Sequence, residues 1–374
     1  MEFIEFLNSQ NLVEFESIRQ VCEAEPYHLK IKEDEIYPTL YLVCQTENTP
    51  QDGSFVKDCN GIIMEKGTNK IICYTFPKGV EMEGFDPKMD LTKTHLEIAI
   101  EGALIRLYHY NDMWIVSTKK CINAKRAKWL THKSFEEMFQ EVFPMEILGG
   151  LDVNETYSFI LCHPENSMVV QYPTAQLYHI STRNMITMME SEKDIGIAKV
   201  PRHGDISILS SLTTTSDLTM EGYMLVDEKF NRQKFMSPIY KKAREVWGNT
   251  NYRFFRYLEL RKEGNDKMME YLTFFPGDQV KFMGYEQEII ALAQEILQVY
   301  LDRHVHRSGA EIPQYYKRLI YDLHGEFLKT RVMTNLPKVM EWIEKLDAKL
   351  VCFLYNKSKE SKNPQHVQTE MMVE

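Results

Sequence analysis

Two stretches of the chain concentrate side chains suited to holding phosphate. Ser117 to Lys133 contains Lys119, Lys120, Lys125, Arg126, Lys128 and Lys133 and no acid. Lys229 to Arg244 contains Lys229, Arg232, Lys234, Lys241, Lys242 and Arg244, again without an acid. Ammonium and guanidinium groups neutralise phosphate oxygens, so the two windows would form an anion site if the fold brings them together. Apart, they are two solvated helical faces. Tyr108, Tyr110 and Trp114 precede the first window. Rings in that place either stack on bases or pair across strands in a core. Other chemistries find little support. No G-x-S-x-G, H-E-x-x-H, Walker A or G-x-G-x-x-G pattern occurs. His304 and His306 are two apart and would point to different faces of a helix, so no metal ligands are assigned. Cys22, Cys44, Cys59, Cys73, Cys121, Cys162 and Cys352 are scattered and form no C-x-x-C pair. Neither a zinc site nor a disulfide framework is expected.

The elements that must position these groups change in texture along the chain. Residues 1–36 read as a helical segment, with Phe3, Ile4, Leu7, Leu12, Phe15, Ile18 and Val21 at helical spacing and Pro26 ending the pattern. From Tyr37 to about Ser237 short β-branched and aromatic runs take over. Ile98 to Tyr108 and Trp114 to Ser117 flank Asn111-Asp112, a hairpin turn. Tyr157 to Cys162 and Met168 to Tyr172 bracket His163-Pro164-Glu165-Asn166, and Tyr223 to Val226 and Arg232 to Met236 bracket Asp227 to Asn231. Repeated hairpins argue for antiparallel sheet with interspersed helices, an α+β class. Beyond about Tyr271 helical spacing returns. Ile289, Ala293, Ile296, Leu297 and Tyr300 share a face, as do Leu319, Leu323 and Phe327, and Val339, Trp342, Ile343 and Leu346. The expected division is therefore 1–36, 37–270, an all-α domain at 271–355, and a mobile tail at 356–374.

The 374 residues carry 44 Lys and Arg against 54 Asp and Glu, a net charge of −10. A globally basic nucleic-acid coat is excluded, while a local basic patch is not. Hydrophobic residues make up 44% and charged residues 26%, as in a soluble protein with a sizeable core. No apolar run approaches the roughly 20 residues a membrane span needs. The opening Met-Glu-Phe-Ile-Glu-Phe-Leu has acids where a signal peptide carries positive charge. The expectation is a reduced, cytoplasmic protein without membrane attachment.

Five segments follow one another along the chain: Asp58-Cys59-Asn60-Gly61-Ile62-Ile63-Met64-Glu65, Ala99-Ile100-Glu101-Gly102, Tyr157-Ser158-Phe159-Ile160, Glu221-Gly222-Tyr223 and Gln233-Lys234-Phe235-Met236. In that order they resemble the motifs of the bacteriophage T4 RNA ligase 1 type of ligase, within the covalent nucleotidyltransferases. They also resemble a group of large-DNA-virus proteins with the same pattern. The resemblance implies nucleotidyltransferase-like antiparallel sheets with helices, followed by a helical domain. It also implies a lysine in K-x-D-G that becomes linked to AMP, with ATP and Mg²⁺ as cofactors of an active member. Several family positions are changed. Asn60 stands for an arginine, Ala99 for the lysine nucleophile, Ser158 for a glutamate and Met236 for the second lysine of x-K-x-K. A methyl group cannot attack a phosphorus.

The reading is thus a catalytically degenerate ligase-like protein that binds nucleotide, RNA ends or a protein partner. Its nucleotide and phosphate contacts would be Glu101, Arg106, Lys119, Lys120, Glu221 and Lys234. The first alternative is an active ATP-dependent RNA ligase with a relocated lysine, Lys57 or Lys93. The second is a structural or assembly protein of a large DNA virus, working in host-cell cytoplasm or virion.

Overall fold

Strand alternation and short turns build three sheets in the first two thirds of the chain. The computed structural model describes residues 1–50, 55–82 and 91–362. Internal contacts divide it into two units, 1–242 and 243–374.

The first unit begins with two helices, α1 (Glu2–Ser9) and α2 (Phe15–Glu23). A four-stranded antiparallel sheet follows in the order β1 (Leu29–Glu33), β2 (Leu40–Gln45), β3 (Asn60–Glu65) and β4 (Ile71–Cys73). Alternate residues of these strands face opposite ways. Ile31, Tyr41, Val43, Ile62 and Met64 cluster with Phe3, Leu7, Ile18 and Cys22 of the two helices. Leu40, Leu42, Cys44 and Ile63 cluster instead with Tyr108 and Ile115 of the next sheet.

The remaining strands of this unit are β5 (Val80–Met82), β6 (Thr94–Ala99), β7 (Ala103–Tyr110), β8 (Met113–Thr118), β9 (Glu155–Cys162), β10 (Gln176–Asn184), β11 (Glu190–Ser191), β12 (Arg202–His203), β13 (Gly222–Asp227) and β14 (Arg232–Met236). One sheet runs β11-β10-β9-β7-β8 and the other β12-β6-β13-β14-β5. All pairings are antiparallel except β14 with β5. In β7, Ile105 and Leu107 join Met138 and Phe139 of α3 (Phe135–Gln140), whose Ser134 forms a capping box with Glu137. In the third sheet Leu96, Tyr223, Leu225 and Phe235 pack with Leu212 and, from α4 (Ile208–Ser211), Ile208. Each such fully buried aliphatic or aromatic side chain stabilises the fold by about 1.5–3 kcal/mol. The helix α5 (Pro238–Trp247) begins in this unit.

The second unit is helical: α6 (Arg253–Glu263), α7 (Asn265–Phe274), α8 (Gln279–Tyr300), α9 (Lys317–Thr330), α10 (Leu336–Lys345) and α11 (Ala348–Lys362). Helix α8 packs against α6, α9, α10 and α11. Its Ile289, Leu292, Ala293, Ile296 and Tyr300 are buried, as are Leu319, Ile320 and Leu323 of α9 and Val339 and Ile343 of α10.

The α+β class and the helical C-terminal region stand as expected, and several local expectations change. Residues 1–36 hold two short helices and β1 rather than one helical segment. The stretch Ile98 to Tyr108 is two strands in different sheets, β6 and β7, parted at Glu101-Gly102. Met168 to Tyr172 is not the partner of β9, which pairs with β10 and β7. The contact division falls at 242/243 rather than 270/271, because α6 packs with α7, α8 and α11. Of the expected tail, 356–362 continues α11, and 363–374 lies outside the described residues. Among the described residues no helix is long and apolar enough to cross a membrane.

Candidate phosphate-binding site

Two Glu-Gly pairs set the frame of the site, and the glycines have a steric reason. A Cβ on Gly222 (φ +147°) would lie 2.0 Å from the Phe235 carbonyl oxygen, so only glycine lets β13 come this close to β14. A Cβ on Gly102 would lie 2.5 Å from Ile160 Cγ2 and 2.8 Å from the Leu161 carbonyl oxygen, where β7 starts beside β9. Each glycine thereby fixes the place of the glutamate before it.

Glu101 is buried, and its carboxylate accepts from the backbone N–H groups of Met168, Val169 and Val170 at 2.8–3.2 Å. This explains why Met168 to Tyr172 forms no strand: its donors are spent on a carboxylate. The Tyr240 hydroxyl lies 2.8 Å from Glu101 Oε2 and 3.0 Å from Glu221 Oε1, donating its single proton to one of them at a time. Burial raises the Glu101 pKa against the opposing N–H and hydroxyl bonds. Burial, and then both carboxylates, raise that of Tyr240. Glu221 Oε2 is ion-paired with Lys234 Nζ.

Strand register explains what lies beside this chain of groups. Ala99, Gly222 and Met236 are cross-strand partners in one row, and Glu97, Met224 and Lys234 form the next row on the same face. Ala99 and Met236 therefore sit in one row, and neither carries a charge. Ala99 is buried and Met236 half-buried.

Lys119 follows β8, and its backbone rests on Gly61. A Cβ there (φ +90°) would lie 2.7 Å from Lys119 Cα, and β3 takes a bulge at this point. Arg106 holds both sides of that contact. Fully buried, it donates to the Gly61 carbonyl, the Thr118 carbonyl and the Ser117 hydroxyl. Lys120 Nζ donates to the Gln45 carbonyl at 2.6 Å. Lys119 is exposed, and partial desolvation by the surrounding protein is the first cause holding its pKa below 10.5. Lys120, Lys78 and Lys234 lower it further, and Glu221 opposes them. Among the described residues its ammonium has no ion pair or hydrogen bond.

The structure thus brings together Lys119, Lys120, Lys234 and Glu221, with Glu101 joined through Tyr240. It adds Lys78, which lies outside both basic windows and which reasoning from charge runs missed. It gives Arg106 a different task from the expected phosphate contact, that of a strut beneath Lys119. Four of the nine remaining basic residues of the windows are in ion pairs elsewhere: Arg126 with Glu35, Lys133 with Glu141 and Glu165, Arg232 with Glu190, and Lys241 with Glu81. Lys57 and Lys93 are exposed on 3₁₀ turns. Lys57 meets this region through its carbonyl, which accepts from the Lys78 N–H at 3.1 Å. Ser158 is buried opposite Arg106 with an unpartnered hydroxyl, and Asn60 directs its amide at the Phe76 carbonyl. Tyr108 is core, its hydroxyl bonded to the Ile122 carbonyl, and Tyr110 bonds Glu65.

The lysines fit a chain of phosphates. A magnesium ion fits less well, since Glu101 and Glu221 already have their oxygens engaged by N–H groups, Tyr240 and Lys234. His95, Glu97 and Glu192 form another group of metal-ligand type, with Arg202 2.5 Å from Glu192 and 3.9 Å from Glu97 offsetting one of the two carboxylate charges.

No family model matches the chain. A protein of Invertebrate iridescent virus 3 called an immediate-early protein ICP-46 homolog is 24% identical over 342 residues, 81% of this chain and 74% of that one. Its namesake from Invertebrate iridescent virus 6 is 25% identical over 301 residues, 72% of this chain and 63% of that one. Among solved structures, an archaeal ATP-dependent RNA ligase is similar with a TM-score of 0.44 at 12% identity, over 74% of this chain and 79% of that chain. A putative ATP-dependent DNA ligase from Aquifex aeolicus gives 0.41 at 14% identity, over 69% and 72%.

Proposed function

We propose that the protein binds the phosphates of a nucleotide or of an RNA end at the Lys78, Lys119, Lys120 and Lys234 cluster. The binding frame is that of an RNA ligase of the T4 RNA ligase 1 kind, in which the lysine position of K-x-D-G, Ala99, supplies no nucleophile. The observation that carries this reading is Lys119. Its ammonium has no ion pair or hydrogen bond among the described residues and lies near three other lysines and one carboxylate, an arrangement that an anion would complete. Because the two sequence relatives are viral, the work belongs in the cytoplasm of an infected cell or in a virion.

The test is equilibrium binding of ATP and of 5′-phosphorylated RNA to wild type and to a Lys119→Ala, Lys234→Ala double variant. The variant is expected to bind more weakly and, with the RNA, to lose about 1.4 from the salt slope, about 0.7 for each phosphate contact removed. Binding equal to that of wild type would end the assignment.

A further inference from the structure

We infer that Tyr240 is the positioning residue that lets Lys234 leave Glu221 for a phosphate, its hydroxyl turning from Glu101 to Glu221 as the lysine departs. This rests on the phosphate-binding reading of the same cluster and adds how that cluster is released to its ligand.

Lys234 is engaged before any ligand arrives, because its ammonium is ion-paired with Glu221 Oε2. A phosphate that takes this lysine leaves behind a carboxylate whose side chain is 16% exposed, so water replaces the lost cation only in part. Among the described residues the Glu221 carboxylate has one other partner, the Tyr240 hydroxyl 3.0 Å from Oε1. The Glu221 backbone is held on both sides. Its N–H donates to the Ala99 carbonyl and its carbonyl accepts from the Ser237 N–H, each at 2.9 Å.

Glu101 is in the opposite position. It lies 2.8 Å from the same hydroxyl, and it also accepts from the N–H groups of Met168, Val169 and Val170. With three backbone donors it loses little when a fourth turns away. Glu221 has no such reserve, and gains a charge-assisted hydrogen bond at the moment its cation leaves. Tyr240 is buried between the two carboxylates and serves either one without moving its ring. Only the O–H turns about its C–O bond, and no bond to hydrogen breaks. Tyr240 thus acts on the ligand through Glu221 and Lys234 alone.

The experiment measures equilibrium binding of ATP to the full chain in EDTA, where no metal ion can bridge Glu221 and phosphate. Wild type, Tyr240→Phe, Glu221→Gln and the variant carrying both are compared. Tyr240→Phe is expected to weaken binding about tenfold, the scale of one hydrogen bond to a charged group. Glu221→Gln no longer restrains Lys234 by charge and is expected to bind ATP several-fold more tightly than wild type. In its presence Tyr240→Phe has no further effect. Urea unfolding gives a second measure that needs no ligand. Tyr240→Phe is expected to cost more stability in a Lys234→Ala chain, where Glu221 keeps only the hydroxyl, than in wild type. A Tyr240→Phe loss of equal size with and without Glu221→Gln means a merely structural role and overturns the inference. So does unchanged binding by Tyr240→Phe, binding by Glu221→Gln no tighter than wild type, or an equal stability cost with and without Lys234. In each of those cases a wild type that binds ATP through Lys119 and Lys234 leaves the phosphate-binding reading standing. A wild type that fails to bind ATP removes both.

Discussion

His179 on β10 is buried, with its ring 5.5 Å from that of Phe159 and its Nε2 3.1 Å from the Thr182 hydroxyl. Burial holds its pKa down at about 4, the Ser181 backbone opposing and Lys199 reinforcing it. The folded value lies below the ordinary 6.5, so the unfolded chain binds the proton first as pH falls. The contribution of neutral His179 is complete above about 6.5 and is lost on the way down to about 4. Between about pH 7 and about pH 5 that loss amounts to about 2 kcal/mol. His179→Gln, which cannot titrate, is expected to show a flatter fall in urea-unfolding free energy over this interval. Equal slopes would take His179 out of the protein's acid sensitivity. Nothing in the chain's pattern foretold this histidine, because its shift comes from packing that strand alternation does not specify. The site was more legible. Glu221 was nominated from a matched motif, Lys234 from one that keeps only its first lysine, and Lys119 and Lys120 from an acid-free run. Arg106 was nominated as a phosphate contact. Its neighbours Ile105 and Leu107 fill the core on the other face of β7, but that alternation does not say whether the arginine's face meets water or another sheet.

Between elements, one ion triad ties strands that the ladders alone do not join. Glu190, on the two-residue β11, accepts from Arg183 of β10 and Arg232 of β14, each at 2.5 Å. Arg183 also donates to the Thr75 carbonyl, and the Arg232 guanidinium lies 4.1 Å from the centre of the Phe76 ring. The Glu190 side chain is 3% exposed and that of Arg232 6%, so neither charge can turn to water in place. Glu190→Gln leaves two enclosed guanidinium groups without an anion, at a cost of about 3–5 kcal/mol. Glu190→Leu combined with Arg232→Leu removes a charge of each sign and is expected to cost less than Glu190→Gln alone. Urea unfolding of the three proteins decides it, and a double variant less stable than the single one would contradict the account. Element boundaries followed the same division between local and distant causes. The Asn111-Asp112 turn was legible because both residues take positive φ, 49° and 58°, as the tight hairpin demands. Met168 to Tyr172 was misread as a strand because apolar alternation cannot tell a ladder partner from the Glu101 carboxylate 67 residues away in the chain.

For the molecule as a whole, a net charge of −10 surrounds a cluster of four lysines, and the size of that cluster bounds what it can hold. Among the described residues, Arg126, Lys133, Arg232 and Lys241 of the two basic windows are in ion pairs, which leaves fewer cations to extend a track away from Lys119. Four lysines neutralise about three or four phosphates. At about 0.7 per phosphate for a single strand, log K against log salt should fall with a slope of about −2 to −3. Nucleotides beyond the first few gain no further lysine of this cluster, and at physiological salt charges more than about 8 Å away are largely screened. Added length therefore brings neither steeper salt dependence nor much affinity. Anisotropy titrations with 5′-triphosphorylated RNAs of about ten and about forty nucleotides, between about 50 and about 200 mM salt, are expected to give the same slope. A slope steeper than about −5 that grows with RNA length would mean a polyanion track in place of a terminal phosphate site, and the cluster would then be one station along it.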